Sequence, residues 1–361
     1  MAVLLLAYAN GANDNFKGVA TLLGSDTTSY RRALQWATIS TFLGSLAAVF
    51  LAQTILKSFS GRGLIDGTLV ADPRYIAAVA LGAGLTVLLA TRVGMPVSST
   101  HGLIGALVGA GLAAGSAVNV AKLASDFFAP LLLSPLIAVT LTAVAYPALH
   151  GLRRWLGITH ETCICAGTEI VETIAVAGEA GIARRVAQLS LALGTPLTCK
   201  SRYQGRMLGV QAAGVLDRLH VLSAGVVGFA RGLNDTPKIA ALLLVVPALG
   251  SFGGICAVGV VIAAGGLLGA RRVAETMSCK ITPMNHGQGF TANLVTGFVV
   301  IAASRFGLPV STTHVSCGAL FGIGTVTRQA RWATIARILA AWFTTLPAGA
   351  ALGAVAYMMI R

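Results

Sequence analysis

Long apolar stretches separated by short polar segments fill most of the sequence. They include residues 76–90, 103–118, 127–149, 240–261 and 340–360. Runs of about 20 apolar residues are typical of transmembrane helices, because a helix satisfies its own backbone hydrogen bonds in hydrocarbon. The pattern therefore predicts an all-α polytopic membrane protein.

The apolar stretches fall into two halves that have the same order of elements. Each half has five main spans and one short Pro/Ser/Thr-containing interruption before its fourth span. Because five is odd, the second half enters the membrane in the opposite orientation, which is the arrangement of an inverted-topology repeat. We predict a first transmembrane repeat at 1–150, a cytoplasmic loop at 151–217 and a second transmembrane repeat at 218–361, each repeat with a re-entrant Pro-Val-Ser-x-Thr-His hairpin. The predicted spans are 1–23, 33–56, 74–91, 102–118 and 125–149, then 218–246, 249–269, 285–303, 315–327 and 333–360.

The start of the chain, MAVLLLAYA, could imitate a signal peptide with a cleavage site at Ala7-x-Ala9. It has no basic segment before the apolar run, which is itself short for a signal peptide. We favour a first membrane helix that lacks its outer half.

Composition and charge agree with a membrane location. Of the 361 residues 55% are hydrophobic and 11% are charged, with a mean hydropathy of +0.80, whereas soluble proteins carry about 25% charged residues. The net charge of +14 marks orientation rather than a nucleic-acid partner. With the N-terminus outside, most arginines and lysines fall on the inner side, as the positive-inside rule requires. This predicts a multi-pass protein of the cell membrane with both termini outside and the 151–217 loop in the cytoplasm.

Three of the six cysteines, Cys163, Cys165 and Cys199, lie in this polar loop. A Cys-x-Cys pair can bind metal, but no second close pair completes a site. We therefore favour reduced cytosolic thiols and predict no metal site.

A first pair of matching motifs places charges inside predicted spans. GANDNFKG (11–18) and GLNDTPKI (232–239) share an Asn-Asp pair followed three residues later by lysine. On a helix, residues three apart share a face, so aspartate and lysine can partly neutralise each other. Unpaired charge at the bilayer centre costs about 2.5–3.5 kcal/mol and usually faces a cavity or pathway; the alternative is an ion pair that only locks helices together. The aligned residues are Asn13 with Asn234, Asp14 with Asp235, and Lys17 with Lys238.

A second pair of motifs is rich in hydroxyl groups. PVSSTHG (96–102) and PVSTTHV (309–315) each precede an apolar helix. Hydroxyl groups at this place are good N-caps, and the positive helix end beyond them is suited to an anion; plain capping of two helices is the alternative. We interpret His101 and His314 as core groups rather than proton carriers. The candidate anion-binding residues are Ser98, Ser99 and Thr100 in the first turn, and Ser311, Thr312 and Thr313 in the second.

These four motifs, in this order, closely resemble those of the inorganic phosphate transporter (PiT) family, and the likeness covers nearly the whole chain. The resemblance implies a secondary transporter that holds phosphate near the membrane midplane, between the two hydroxyl turns PVSSTHG and PVSTTHV. It also implies that the Asn-Asp motifs complete the phosphate site through Asp14 and Asp235. The same motifs, Asn13-Asp14 and Asn234-Asp235, would bind the coupling cation, and a homodimer is expected.

The lysines depart from the family pattern. Many members have a neutral asparagine at the position of Lys17, whereas this chain has ammonium groups at both Lys17 and Lys238. Two fixed ammonium groups would strengthen anion binding and could fill space that sodium uses elsewhere, so we predict coupling to protons rather than sodium. Hydrogen phosphate can donate a hydrogen bond to an aspartate and sulfate cannot, which favours phosphate only if the carboxylates are not already paired with the lysines.

The resulting prediction is a secondary active transporter that imports inorganic phosphate by cation symport with alternating access. Its ligands are phosphate and a co-transported H⁺ or Na⁺, with no cofactor and no catalytic residues. A sulfate or other oxyanion permease of the same fold is the nearest alternative. An intramembrane hydrolase is disfavoured because every candidate residue is duplicated, whereas catalysis needs one asymmetric constellation. A passive anion channel would differ by showing conductance instead of gradient-coupled uptake.

Overall fold

The computed structural model describes residues 1–59, 61, 63–175, 183–203, 207–245 and 250–361. The chain forms two compact units. One comprises Met1–Tyr146 with His220–Arg361, and the other comprises Pro147–Leu219. The predicted loop at 151–217 includes residues 176–182 and 204–206, which lie outside the described residues.

The described residues are mostly helical. Short 3₁₀ or π segments at Asn15–Gly18, Leu123–Phe128, Ala241–Val245 and Thr276–Lys280 interrupt or extend the α-helices. The α-helices are Ala2–Asp14 (α1), Ala20–Gly24 (α2), Tyr30–Leu51 (α3), Gln53–Ser58 (α4), Gly67–Val70 (α5), Pro73–Arg92 (α6), Ser99–Ala113 (α7), Val120–Lys122 (α8), Ala129–Trp155 (α9), Pro196–Arg202 (α10), Ala212–Ala240 (α11), Gly250–Gly269 (α12), Arg271–Glu275 (α13), His286–Arg305 (α14), Thr312–Val326 (α15) and Trp332–Ile360 (α16).

Helices long and apolar enough to cross a bilayer confirm the prediction of a membrane protein. Six such segments occur among the described residues. Their lengths of 20 to 36 residues suit a hydrocarbon layer about 30 Å thick. They are Tyr30–Leu51, Pro73–Arg92, Val120–Trp155, Ala212–Val245, Gly250–Gly269 and Trp332–Ile360. The division into two inverted five-span halves stays a prediction.

The first predicted helix, 1–23, is broken at its polar motif. α1 ends at Asp14, the next four residues form a 3₁₀ turn, and α2 starts at Ala20. In the second motif Pro237 lies in the last turn of α11, and a 3₁₀ turn follows at Ala241–Val245. Proline has no N–H to donate, which accounts for the end of regular helix in the second motif. In both motifs the regular α-helix ends at or soon after the aspartate.

Close helix packing in the first unit depends on glycine. α7 packs against α16, and Gly105 and Gly109 of α7 face the backbone of Leu346 and Ala350. Without side chains at these positions the two backbones approach directly, as small residues allow in membrane helices. The Gly-Ala-Leu-Val-Gly sequence of α7 is thus a contact surface.

Replacing Gly109 by alanine is expected to destabilise the protein, because the added Cβ would collide with the carbonyl oxygen of Ala350. Overpacking of this kind costs about 1–3 kcal/mol. Thermal unfolding in detergent measures the effect. Gly253→Ala in α12 is the matched control, since its Cβ would meet no described heavy atom within 4 Å. A Gly109→Ala midpoint equal to that of the control would contradict the packing argument.

The second unit contains an antiparallel sheet, so the prediction that the whole chain is α-helical is wrong for this segment. The strands are Cys163–Ala175 (β1), Ala183–Gly194 (β2) and Met207–Gln211 (β3), in the order β2-β1-β3. Burial alternates along β1: Cys163 and Cys165 are buried, while Ile164 between them is 53% exposed. A period of two is the pattern of a strand. The alternation is not visible in the sequence, because the exposed Ile164 is as apolar as the buried cysteines on either side of it.

Candidate functional site

The Lys17 ammonium lies in a nest of oxygen atoms drawn from both halves of the chain. It donates to the carboxylate of Asp14, the side-chain oxygen of Asn13 (3.1 Å) and the carbonyl oxygen of Val97 (3.0 Å). It also donates to the hydroxyl oxygen of Thr313, which lies 296 residues away. The side chains of Lys17 and Asp14 are 1% exposed, so this is a buried ion pair tied to both hydroxyl turns.

The Lys238 ammonium makes the corresponding contacts in the second motif. It lies 3.3 Å from a carboxylate oxygen of Asp235 and donates to the carbonyl oxygen of Val310 at 2.6 Å. It reaches across to the hydroxyl oxygen of Thr100 at 3.0 Å. Each lysine thus joins the aspartate of its own motif, the valine carbonyl of its own half and the third hydroxyl residue of the opposite turn.

Each hydroxyl turn divides its three side chains among three tasks. The first residue caps a helix: Ser98 Oγ accepts from His101 N (3.1 Å) at the start of α7, and Ser311 caps α15 in the same way. The second residue donates to an aspartate: Ser99 to Asp14 at 3.1 Å, and Thr312 to Asp235 at 3.2 Å. The third, Thr100 or Thr313, accepts from the lysine of the other half. Capping therefore accounts for only one of the three hydroxyl groups in each turn.

The asparagines of the two motifs anchor the turns. Asn13 Nδ2 donates to Thr91 Oγ1 (2.9 Å) and to the Met95 carbonyl oxygen (3.0 Å), and its Oδ1 accepts from Val97 N (3.1 Å). Asn234 Nδ2 donates to the Val310 carbonyl oxygen at 3.1 Å. The structure therefore brings all twelve predicted site residues into one buried network, while their binding roles stay predictions.

Arg231 is a member of this network that the sequence analysis missed. Its guanidinium, fully buried in α11, donates to Asn10 Oδ1 at 2.7 Å and lies 3.7 Å from a carboxylate oxygen of Asp235. Asn10 Nδ2 in turn donates to Asp14 at 3.0 Å, so Arg231 links the two aspartates. Aligning the two motifs would have found both residues, since Asn10 and Arg231 each precede an aspartate by four positions.

The buried charges of this network do not cancel. It holds three cationic side chains and two carboxylates, all at most 2% exposed, which leaves one positive charge in excess when each group is ionised. An uncompensated charge in a low-dielectric interior is costly. The arrangement therefore favours an anionic ligand. The cations are Lys17, Arg231 and Lys238, and the carboxylates are Asp14 and Asp235.

A small cavity lies beside this network. Its lining includes Ser99, Thr100, Asp235 and Lys238. Its volume of about 10 Å³ is room for about one water molecule. A tetrahedral oxyanion can enter only if the side chains around Asp235 move apart, so this conformation is closed around Lys238.

His101 and His314, which follow the two turns, lie against each other with ring centroids 4.6 Å apart. His314 also stacks on Trp342 at 3.9 Å. Among the described residues, no side chain or backbone group hydrogen-bonds His101 Nδ1 or His314 Nε2. The packing agrees with the interpretation of both histidines as core groups.

Comparison with known proteins finds the same family over nearly the whole chain. The family model described as the phosphate transporter family matches residues 10–353. The chain is 29% identical to a protein of Rhizobium meliloti named "Probable low-affinity inorganic phosphate transporter", with 98% of this chain and 93% of that protein covered. It is 26% identical to "Inorganic phosphate transporter 2-1, chloroplastic" of Arabidopsis thaliana, with 97% and 69% covered.

A solved structure shares the fold. It is named "The sodium-dependent phosphate transporter", and it superimposes with a TM-score of 0.74 at 20% identity, covering 99% of this chain and 96% of that one. The resemblance predicted from the paired motifs is thereby confirmed, and the family consists of transporters rather than enzymes. The chain belongs to the phosphate transporter family.

Proposed function

We propose that this protein imports inorganic phosphate by symport with protons, and that Lys17 and Lys238 take the place of metal cations in its coupling sites. The observation that carries the proposal is the matching environment of the two ammonium groups. Each is surrounded by a carboxylate, a backbone carbonyl and a threonine hydroxyl. Oxygen atoms of these kinds are the ligands that hard cations take in proteins.

A tethered cation removes the need for a free one. An ammonium group carries the same single charge as a sodium ion. Each lysine side chain holds this charge at the oxygen cluster because the ammonium is attached to the chain. A sodium ion at the same place would lie close to the ammonium charge, and like charges repel each other strongly in a protein interior. We therefore infer that sodium does not drive uptake in this member of the family.

The charge excess defines which form of phosphate fits. One surplus positive charge is balanced by dihydrogen phosphate, or by hydrogen phosphate together with one proton. This is a direct route to proton coupling, because the doubly charged anion alone would leave the site negative. Phosphate and the proton each bind more tightly when the other is already in the site. That difference in affinity couples the two.

We further propose that the halves at 1–150 and 218–361 are inverted five-span repeats with re-entrant hairpins, and that one moves against the other to give alternating access. The matching lysine, aspartate and hydroxyl contacts of the two motifs support this assignment. In that topology the 151–217 loop is cytoplasmic, in agreement with the positive-inside rule. Movement of the halves would separate Lys17 from Thr313 and Lys238 from Thr100, which is the opening that phosphate needs.

Phosphate uptake into proteoliposomes tests the proposal. We expect uptake to rise with an inward proton gradient and to change less than about twofold when sodium replaces potassium at constant pH. The sodium comparison isolates the lysine argument, and the proton gradient tests the symport. Uptake that increases steeply with sodium at fixed pH would contradict it.

A sulfate or other oxyanion permease is the second candidate, and one observation favours it. Asp14 already pairs with Lys17 and accepts from Asn10 and Ser99, so it has little capacity left for a proton donor on the ligand. Asp235 is also engaged, by Lys238, Asn234 and Thr312, but unlike Asp14 it lines the cavity. We propose that selection for phosphate over sulfate depends on Asp235.

Replacing Asp235 by asparagine is therefore expected to reduce discrimination against sulfate. The amide keeps the shape but loses the negative acceptor that rejects a ligand without a proton, an effect worth up to about 10⁴-fold in polar sites. The measurement is inhibition of labelled phosphate uptake by sulfate. Asp14→Asn is the matched comparison, and equal sulfate inhibition in both variants would contradict the assignment to Asp235. Sulfate inhibition of the unchanged protein at phosphate-like concentrations would instead favour the oxyanion permease.

A further inference from the structure

We propose that Cys163, Cys165 and Cys199, when reduced, bind a soft metal ion through three thiolates, and that Cu⁺ is the metal. The three sulfur atoms lie within 4.8 Å of one another, and each side chain is at most 3% exposed. All three cysteines belong to the unit Pro147–Leu219, whereas Lys17 and Lys238 belong to the other unit. The proposal reverses the sequence-based prediction of plain thiols without a metal.

Local structure explains how the sulfurs meet. Cys163 and Cys165 are two apart on β1, so both point to the same face of the sheet. Cys199 comes from α10, whose start is fixed by a capping box between Thr195 and Thr198. The chain after α10 is fixed as well, because the Tyr203 hydroxyl donates to the carbonyl oxygen of Cys165 at 3.2 Å.

The neighbouring strands leave room around the sulfurs. Gly194 of β2 pairs with Cys163, and Gly209 of β3 pairs with Cys165. A Cβ at Gly209 would lie 3.3 Å from Cys163 Sγ, and one at Gly194 would lie 3.6 Å from Cys199 Sγ. Glycine on both flanking strands thus keeps side chains away from the cluster.

An ion pair holds α10 over this face of the sheet. Arg202 Nε lies 3.0 Å from a carboxylate oxygen of Glu169, which is on the same face of β1 as the two cysteines. The hydrogen bond from Arg202 lowers the pKa of the Glu169 carboxyl below its ordinary value, and the Ser190 hydroxyl adds to the effect. The helix that supplies Cys199 is therefore fixed at its end as well as at its start.

The structure holds the oxidised state of this cluster. Cys165 and Cys199 form a disulfide, which makes the prediction of reduced thiols wrong for these two residues. The thiol of Cys163 lies 3.2 Å from Cys165 Sγ. A disulfide uses two of the three sulfurs and leaves the buried third one unexplained, whereas a three-thiolate site uses all of them.

Reduction converts one state into the other. A cellular dithiol gives two electrons and two protons to the Cys165–Cys199 bond, forming two thiols and becoming a disulfide itself. Binding of Cu⁺ by the three thiols then releases three protons, since thiolates are the metal ligands. The disulfide and the metal exclude each other because they compete for the same sulfur atoms.

The number of ligands selects the metal. Thiolates prefer Cu⁺, zinc or iron–sulfur clusters, and structural zinc takes four protein ligands. In the described part of the chain no fourth histidine, cysteine or carboxylate joins this group, and its burial disfavours water as a ligand. With metal–sulfur bonds of about 2.3 Å, a trigonal site has its sulfurs about 4 Å apart. Cys163 Sγ lies 3.2 Å from Cys165 Sγ, and Cys165 is bonded to Cys199, so reduction must let the sulfurs move apart to that spacing.

The test uses full-length protein in detergent, with Cys256, Cys279 and Cys317 changed to alanine to remove other thiols. After anaerobic reduction with a phosphine, it is titrated with Cu⁺ in competition with a chelator. We expect one Cu⁺ per chain, protection of three thiols from alkylation, and stoichiometric binding lost on oxidation to the disulfide. Cys163→Ser should lower the affinity more than about 100-fold, since even the outer hydrogen-bond partners of metal ligands are worth about 10–100-fold.

Two outcomes would overturn the proposal. One is Cu⁺ binding that Cys163→Ser leaves unchanged, because the disulfide pair alone would then account for the cluster. The other is stoichiometric zinc binding that Cu⁺ does not displace, which would require a fourth ligand. Counting the alkylated thiols with and without Cu⁺, in the protein that retains Cys163, keeps the test independent of how well the Cys163→Ser variant folds.

Discussion

Phosphate uptake should fall at least about 100-fold when Arg231 is replaced by glutamine. The variant removes the surplus positive charge of the buried network and leaves two lysines facing two aspartates. It also leaves Asn10 Oδ1 and Asp235 without the guanidinium that links them. Removing one partner of a buried charge pair costs about 3–5 kcal/mol, and each 1.4 kcal/mol is tenfold. Initial rates of labelled phosphate uptake over a range of phosphate concentrations provide the measurement.

Two further variants separate charge from folding. Arg231→Lys keeps the charge but not the planar fork of donors, so its uptake should lie between those of the glutamine variant and the unchanged protein. Arg32→Gln removes an exposed arginine of α3 and should have no effect. Thermal stability of each purified variant shows whether the protein still folds. A folded Arg231→Gln protein that transports within threefold of normal would refute the role given to the excess charge.

The local part of the site could be predicted from the sequence. The three-residue spacing of Asp14 and Lys17 places both on one helical face, and the structure pairs them, as it pairs Asp235 with Lys238. The contact of Lys17 with Thr313 spans 296 residues, and nothing local specifies it. Such cross-half contacts follow from how the two halves pack, which helical periodicity in one segment does not encode.

Two structural predictions failed because local structure departs from the average character of a segment. The first helix breaks after Asp14 although the surrounding residues are apolar. The 151–217 segment is polar on average, yet alternating burial from Cys163 to Gly167 makes it a strand. Arg231 is a separate omission: it precedes the motif, although Asn10 occupies the same position relative to Asp14.

Changing Lys17 to asparagine is expected to convert uptake from sodium-independent to sodium-dependent. The shorter side chain withdraws the ammonium from the oxygens of Asn13, Asp14, Val97 and Thr313. These oxygens remain in place and form a cluster that suits a free hard cation. Uptake without sodium should therefore drop at least about tenfold, since a buried aspartate loses its partner. Added sodium should restore much of it, measured as initial uptake rates at constant pH and osmolarity.

The corresponding change at Lys238 and the double variant decide how many cations each cycle needs. If each lysine replaces one cation, the single variants should show a hyperbolic dependence on sodium and the double variant a sigmoidal one. Lys280→Asn, at an exposed lysine, is the control for loss of a positive charge elsewhere. A folded Lys17→Asn protein that sodium cannot restore would mean that the ammonium binds phosphate itself rather than standing in for a cation. In that case raised phosphate should restore part of the uptake whereas sodium should not, so the same assay run at raised phosphate distinguishes the two roles of the lysine.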